Sequence, residues 1–114
     1  MWELDNLGKR MVFDSYGVGE KQCESFLGSN DYLLRFLKYR KPEKDESDLG
    51  LHAHSDLTLL SLLHQLNLGG LEVKPKGENY WIEVEASPSS FIIMAGDALK
   101  VHFVIFQISI YFKY

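Results

Sequence analysis

The chain is 114 residues long, 46% apolar and 25% charged, with a formal charge of -4 at pH 7. That length suits one domain with a real core, and the composition is that of a folded soluble protein, which excludes intrinsic disorder. The acidic balance offers no basic face to displace phosphate counterions, so no nucleic-acid partner is expected, and the lone Cys23 excludes a disulfide framework or a cysteine-rich zinc site.

Met1-Trp2-Glu3-Leu4-Asp5 is acidic and lacks the apolar run of a secretory signal. Together with the single cysteine, this gives a cytoplasmic expectation. Trp2, Leu4, Leu7, Met11 and Val12 recur at helical spacing, with Glu3, Asp5, Lys9 and Arg10 on other faces. The spacing predicts an amphipathic helix that breaks near Gly17-Val18-Gly19. A second, shorter helix is expected over 20–27, closed by Gly28-Ser29-Asn30. Tyr32 to Tyr39 is rich in large apolar residues and fits either helix or strand. Pro42 ends it, and the charged run Pro42-Glu43-Lys44-Asp45-Glu46-Ser47-Asp48 reads as a solvated loop.

From Gly50 onward the pattern changes. Gly69-Gly70, Lys76-Gly77-Glu78-Asn79 and Ser87-Pro88-Ser89 separate short β-prone segments at 71–73, 80–84 and 91–94. Leu57 to Leu66 has helical propensity, but its surroundings favour a strand. Several short strands at near-regular spacing predict a β-sandwich or jelly roll with the N-terminal helices packed outside it. Val101 to Tyr114 is the most apolar stretch, interrupted by Gln107, Ser109 and Lys113. It is shorter than the ~20 residues of a membrane-spanning helix, so no membrane association is expected.

One stretch carries chemistry: Gly50-Leu51-His52-Ala53-His54-Ser55-Asp56. Alternate side chains of a strand share a face, so His52, His54 and Asp56 would point the same way. An imidazole and a carboxylate at that spacing can hold one metal ion together and leave its far side open. Iron(II) oxygenases use this arrangement, with two His and one carboxylate on one face of the metal. The tripeptide alone is a weak signal, because a strand end with solvated polar residues produces it often. A cupin-like zinc site built from His52, His54 and Asp56 is an alternative.

The surroundings of the tripeptide narrow the choice. Gly50 to Leu60, His64-Gln65, Gly70-Leu71-Glu72-Val73, Trp81-Ile82-Glu83-Val84, Ser87-Pro88-Ser89-Ser90-Phe91 and Gly96-Asp97-Ala98-Leu99 appear in one order and density. So do Arg10-Met11-Val12-Phe13-Asp14-Ser15-Tyr16-Gly17-Val18 and the run from Tyr32 to Arg40. Together they resemble the plant 2-oxoglutarate- and Fe(II)-dependent dioxygenases of the isopenicillin N synthase-like fold, in the branch of the glucosinolate side-chain and auxin-oxidising dioxygenases. The likeness runs from about Leu4 to Val101.

The resemblance implies a partial double-stranded β-helix. It divides 1–114 into a helical flank (1–30), a β core (31–101) and an atypical tail (102–114). It implies Fe(II) with His54 and Asp56 as the first two ligands, 2-oxoglutarate as co-substrate, and a small metabolite as substrate. Tyr39 stands where many relatives hydrogen-bond 2-oxoglutarate, following an Arg at the place of Arg35. Leu37 replaces the Asn that many have two residues earlier, which reduces that contact. Gly96-Asp97 matches a tight turn between core strands with a structural role. His52 matches a pocket-edge residue, His64 is expected to face a neighbouring strand or solvent, and Trp81 is expected in the core.

The resemblance stops after Gly-Asp-Ala-Leu. Relatives continue into Asn-Gly-Arg, a His-Arg-Val with the third iron ligand, and an Arg-x-Ser whose Arg clamps the far carboxylate of 2-oxoglutarate. The third ligand would fall near Phe112, and His102 lies well short of that position. Loss of the Arg removes a charge-assisted bidentate partner. An oxygenase fragment, inactive or nearly so, is therefore expected. The alternative is a non-catalytic fragment that binds a partner, including a copy of itself, through an open sheet edge. The tail is dominated by Phe, Ile and Tyr, which like its Lys113 have A/T-rich codons, and follows Val101, whose codons all begin with GT. It reads as translated intron or as a diverged strand that joins the sheet.

Overall fold

The computed structural model describes residues 1–75, 77–102 and 108–113, with side chains for those outside 100–102 and 108–113. The chain divides into two compact units, Met1–Lys38 and Tyr39–Tyr114.

The first unit holds α1 (Trp2–Ser15) and α2 (Glu20–Gly28), close to the helices expected from the spacing. The break between them is a helix-ending turn. Gly17 takes φ +70°, its N–H donates to the Asp14 carbonyl at 3.0 Å, and the Val18 N–H reaches back to the Phe13 carbonyl at 2.9 Å. Only glycine enters that left-handed region cheaply, so Gly17 sets where α1 stops.

The buried face of α1 differs from the expected stripe. Trp2, Leu7 and Met11 are exposed, whereas Asp5, Lys9 and Phe13 are buried. Lys9 Nζ pairs with Asp5 Oδ2 one turn away at 2.5 Å and lies 5.0 Å from the centre of the Tyr32 ring. Mutual neutralisation and the aromatic face let the two charges leave water. Phe13 meets Phe26 of α2 edge-on at 5.1 Å, and Arg10 pairs with Glu24 at 2.5 Å.

The segment expected as helix or strand, Tyr32 to Tyr39, is neither. Leu33, Leu34, Phe36 and Leu37 point outward, Phe36 with 92% of its surface open. Their apolar character raised the expectation of regular structure, but a strand forms only where a neighbour takes its backbone bonds.

The second unit is mainly strands: β1 (Leu49–His54), β2 (Leu60–Leu63), β3 (Leu71–Pro75), β4 (Ile82–Val84), β5 (Ile92–Ala95) and β6 (Ile108–Lys113), with α3 (Asp97–His102) between the last two. The three β-prone segments and the context-favoured strand within 57–66 all appear, each trimmed or extended by a few residues. β1, β6, β3 and β4 form one antiparallel sheet in that order, and β2 pairs with β5 in a second.

The inner core joins the two sheets. Leu71 is fully buried and Met94 nearly so, with Val73 and Val84 from one sheet and Leu63 and Ile92 from the other packed around them. A fully buried leucine stabilises by about 2 kcal/mol through surface removed from water. Gly77, at φ +84°, and the Glu78 N–H bond to the Pro75 carbonyl make the turn from β3 to β4. Trp81, expected in the core, is 38% exposed with Lys74 Nζ 5.8 Å from its ring centre. The charged loop is solvated as expected, yet ordered: Arg40 grips Glu46 through two bonds of 2.6 and 2.7 Å. That grip, with the Glu43 N–H, holds the Glu46 carboxyl down at about 2.

The tail reading falls partly on 103–107 and Tyr114, outside the described residues. Of the rest, Ile108–Lys113 forms β6, hydrogen-bonded between β1 and β3.

Candidate functional site

β1 ends at His54, and Ser55 and Asp56 follow as the chain leaves the sheet. His54 Nδ1 lies 2.9 Å from the His52 carbonyl oxygen. A carbonyl can only accept, so Nδ1 carries the proton and Nε2 keeps its lone pair in the neutral ring. That nitrogen faces Asp56, with Nε2 and Oδ1 3.4 Å apart. Two donors about 2.1 Å from one ion, at angles between octahedral and tetrahedral, stand roughly 3.0–3.4 Å apart. The pair therefore has the bite of two neighbouring ligands. The Nδ1–carbonyl bond is the kind of support that fixes a ligating imidazole. Both side chains are partly open, 38% for His54 and 27% for Asp56, so an ion can reach them.

His52 does not join them. Along β1, Leu49 faces Lys113, Leu51 faces Phe112 and His54 faces Ile110, with a register shift in each interval. An extra residue in a strand interrupts strict alternation, and the second shift lies between Leu51 and His54, the interval that contains His52. Its ring is exposed, and no group of three or more His, Cys, Asp or Glu residues comes together among the described residues. In this structure His52 stands apart from the pair and contributes its backbone carbonyl.

Behind the pair, the chain from Ser55 to Leu59 lies against Gly96 and Asp97. The Asp97 N–H donates to the Asp56 carbonyl at 2.7 Å, and the Gly96 N–H donates to the Leu59 carbonyl at 3.0 Å. Ser55 Oγ donates to Asp97 Oδ2 at 2.7 Å. A Cβ on Gly96 would run into the Thr58 carbonyl and come within 2.9 Å of the Asp56 oxygen. Gly96-Asp97 was expected as a tight turn between strands; here Asp97 opens α3 instead, with the Leu99 N–H returning to the Gly96 carbonyl. The link from Ser55 to Asp97 was missed by sequence reasoning. The signal for it was present in Gly96, because a glycine at a strand end marks a close backbone approach.

The other residues singled out from the sequence stand elsewhere. Tyr39 lies on the extended stretch before the Pro42 loop, 37% exposed. His64 follows β2, bonds to the Ser90 carbonyl at 2.9 Å and stacks on Phe91 with centroids 5.0 Å apart. It thus faces the approach to the neighbouring strand β5. His102 ends α3, and its side chain lies outside the described residues.

A sequence profile of the 2OG-Fe(II) oxygenase superfamily matches residues 30–108. The chain belongs to that superfamily. Its members use Fe(II) and 2-oxoglutarate, and His54, Asp56, Gly96 and Asp97 all fall inside the matched range. The chain is 42% identical over 101 residues to an Arabidopsis thaliana protein called "Probable 2-oxoglutarate-dependent dioxygenase AOP1", covering 85% of this oxygenase chain and 33% of that protein. It is 47% identical over 57 residues to the Arabidopsis thaliana "Probable inactive 2-oxoglutarate-dependent dioxygenase AOP2", covering 50% of this chain and 14% of that one. Gibberellin 20 oxidase 1-B of Triticum aestivum is 33% identical over 84 residues, or 74% of this chain and 22% of the oxidase. The chain thus spans about a third of the length of its similar AOP1 relatives. No solved structure matches it. No helix among the described residues is long and apolar enough to cross a membrane.

Proposed function

We propose that this chain is part of a 2-oxoglutarate-dependent dioxygenase oxidising a small metabolite, with His54 and Asp56 as two of its iron ligands. The observation that carries the reading is the 3.4 Å pairing of His54 Nε2 with Asp56 Oδ1, with Nδ1 already committed to the His52 carbonyl. Iron(II), when bound, supplies the redox centre at which oxygen and 2-oxoglutarate are consumed and succinate is released. The chain's own task there is positional: His54 presents a lone pair, Asp56 presents a charge, and Tyr39 orients the co-substrate with its hydroxyl. On this reading the strands belong to a partial double-stranded β-helix, which the helical segment of 1–30 precedes in the chain.

On this reading the 114-residue polypeptide taken by itself is inactive or nearly so, because the resemblance puts the second His near Phe112 and no His stands there. Two protein ligands leave iron weakly held, and these 114 residues contain no Arg-x-Ser to clamp the far carboxylate of 2-oxoglutarate. The test is succinate release by the purified chain with added Fe(II) and 2-oxoglutarate, beside metal binding by His54→Ala and Asp56→Ala. Weak binding lost in both variants, with no succinate, is the expected result. Succinate formation dependent on iron and 2-oxoglutarate would refute the inactivity, and binding indifferent to both substitutions would refute the ligand assignment.

A second reading rests on the order β1-β6-β3-β4, which makes β1 and β4 the outer strands of the larger sheet. In it the chain pairs edge to edge with a partner or with a copy of itself. A monomer by size-exclusion chromatography across a range of concentrations argues against self-pairing.

A further inference from the structure

We propose that Asp97 and Ser55 are positioning residues for Asp56: they form a clasp that sets the direction of its carboxylate, and so the affinity of the pair for a metal. The inference rests on the reading of His54 and Asp56 as iron ligands and adds residues to that site.

Asp56 lies just past the last residue of β1, where the sheet no longer dictates the backbone. A carboxylate at a strand exit samples many directions, and a ligand that must be ordered on binding holds its metal weakly. Here the order is built in. Asp97 engages both sides of the exit, its N–H on the Asp56 carbonyl and its Oδ2 on the Ser55 hydroxyl, each at 2.7 Å. Two bonds from one residue, to the Ser55 hydroxyl and the Asp56 carbonyl, bracket the Asp56 Cα from which its side chain starts. Gly96 makes this possible, since its missing Cβ lets its backbone sit directly on Thr58 and Asp56. Its N–H bond to the Leu59 carbonyl closes the far end of the same segment.

The buried side of α3 anchors the clasp. Leu99 is 1% exposed and lies within the first turn that Asp97 begins, so Asp97 has little freedom to follow a moving loop. Ser55 and Asp97 are themselves only partly exposed, which protects their bond from competition by water. A residue chosen only to end a strand needs no carboxylate aimed back at the hydroxyl beside the ligand.

The experiment uses the full chain and Co(II) as probe, reading affinity from visible absorption and fold from circular dichroism and apo-protein melting. Ser55→Ala is expected to weaken Co(II) binding about 10-fold, within the ~10–100-fold typical of outer-shell partners, while the apo melting curve stays close to wild type. Ser55→Thr keeps the hydroxyl and is expected to bind as wild type. Asp97→Asn keeps an acceptor oxygen without its charge and should fall between, also serving if Ser55→Ala does not fold. Combining Ser55→Ala with Asp97→Asn should cost no more than Ser55→Ala alone, because the two act through one bond. Unchanged affinity in Ser55→Ala, or effects of the two substitutions that simply multiply, overturns the clasp while leaving the iron reading intact. If His54→Ala and Asp56→Ala leave Co(II) binding untouched, the iron reading itself fails and the clasp falls with it.

Discussion

Two stretches of this chain carry residues that its resemblance implicates in chemistry, and they are held in opposite ways. From His54 to Leu59 nearly every step is tied: Nδ1 to the His52 carbonyl, Ser55 and Asp56 to Asp97, Leu59 to Gly96. From Tyr32 to Tyr39 the chain forms no regular element, and Leu33, Leu34, Phe36 and Leu37 face outward. The His54–Leu59 stretch takes its order from a tight contact with one short neighbouring segment. The stretch leading to Tyr39 would take its order from a sheet beside it. Two neighbouring polar side chains can thus be fixed by a single close backbone contact while a run rich in large apolar residues stays irregular.

Substitutions can test that contrast at several scales. The largest effect is expected in the core under the strands: Leu71→Ala removes a fully buried side chain between the sheets and should cost about 2–5 kcal/mol in urea unfolding. Next is Gly96→Ala, whose methyl group meets the Thr58 backbone; overpacking of this kind costs roughly 1–3 kcal/mol. Gly28→Ala is its control, because nothing lies within 4 Å of the added carbon; a comparable loss there would contradict close approach as the cause. At the other extreme, Phe36→Ser should change stability by no more than about 0.5 kcal/mol, given that Phe36 is 92% exposed. A loss above 1 kcal/mol would show that the outward-facing stretch is packed in solution, and would break the comparison.

The Arg40–Glu46 pair offers a finer probe of the loop after that stretch. The bound guanidinium and the Glu43 N–H hold the folded Glu46 carboxyl at about 2, below its ordinary 4.5. The folded value is the lower one, so the pair stabilises above the unfolded value and loses its effect as pH falls through about 2. Carbon-13 NMR titration should place the Glu46 midpoint near 2, and Arg40→Gln should return it toward ~4.3. A wild-type midpoint already near the ordinary value would mean that the loop is open.

Punctuation made much of the fold legible. Gly17, Gly28 and Gly77 mark where elements end, and the β-prone runs between turns are where strands form. The pair of His54 and Asp56 was legible too, through spacing and through family likeness. What spacing could not reveal was the neighbour of each face. The α1 periodicity pointed to Trp2, Leu7 and Met11, yet the helix buries Asp5 and Lys9 because each neutralises the other beside Tyr32. Alternation placed His52 with His54, but the register shifts in β1 depend on β6, a strand far away in sequence. The Ser55–Asp97 bond joins residues 42 positions apart, beyond the reach of any local pattern.

The place of β6 has a consequence for how the chain acquires its shape. β1 and β3 do not bond to each other; both bond to β6, which leaves the ribosome after them. Leu51 finds Phe112 only after a further 61 residues have been made. Until then two hydrogen-bonding edges wait without a mate, and loop closure over that span makes their pairing slow. The interval is when a nascent chain is most exposed to wrong pairings and to chaperones.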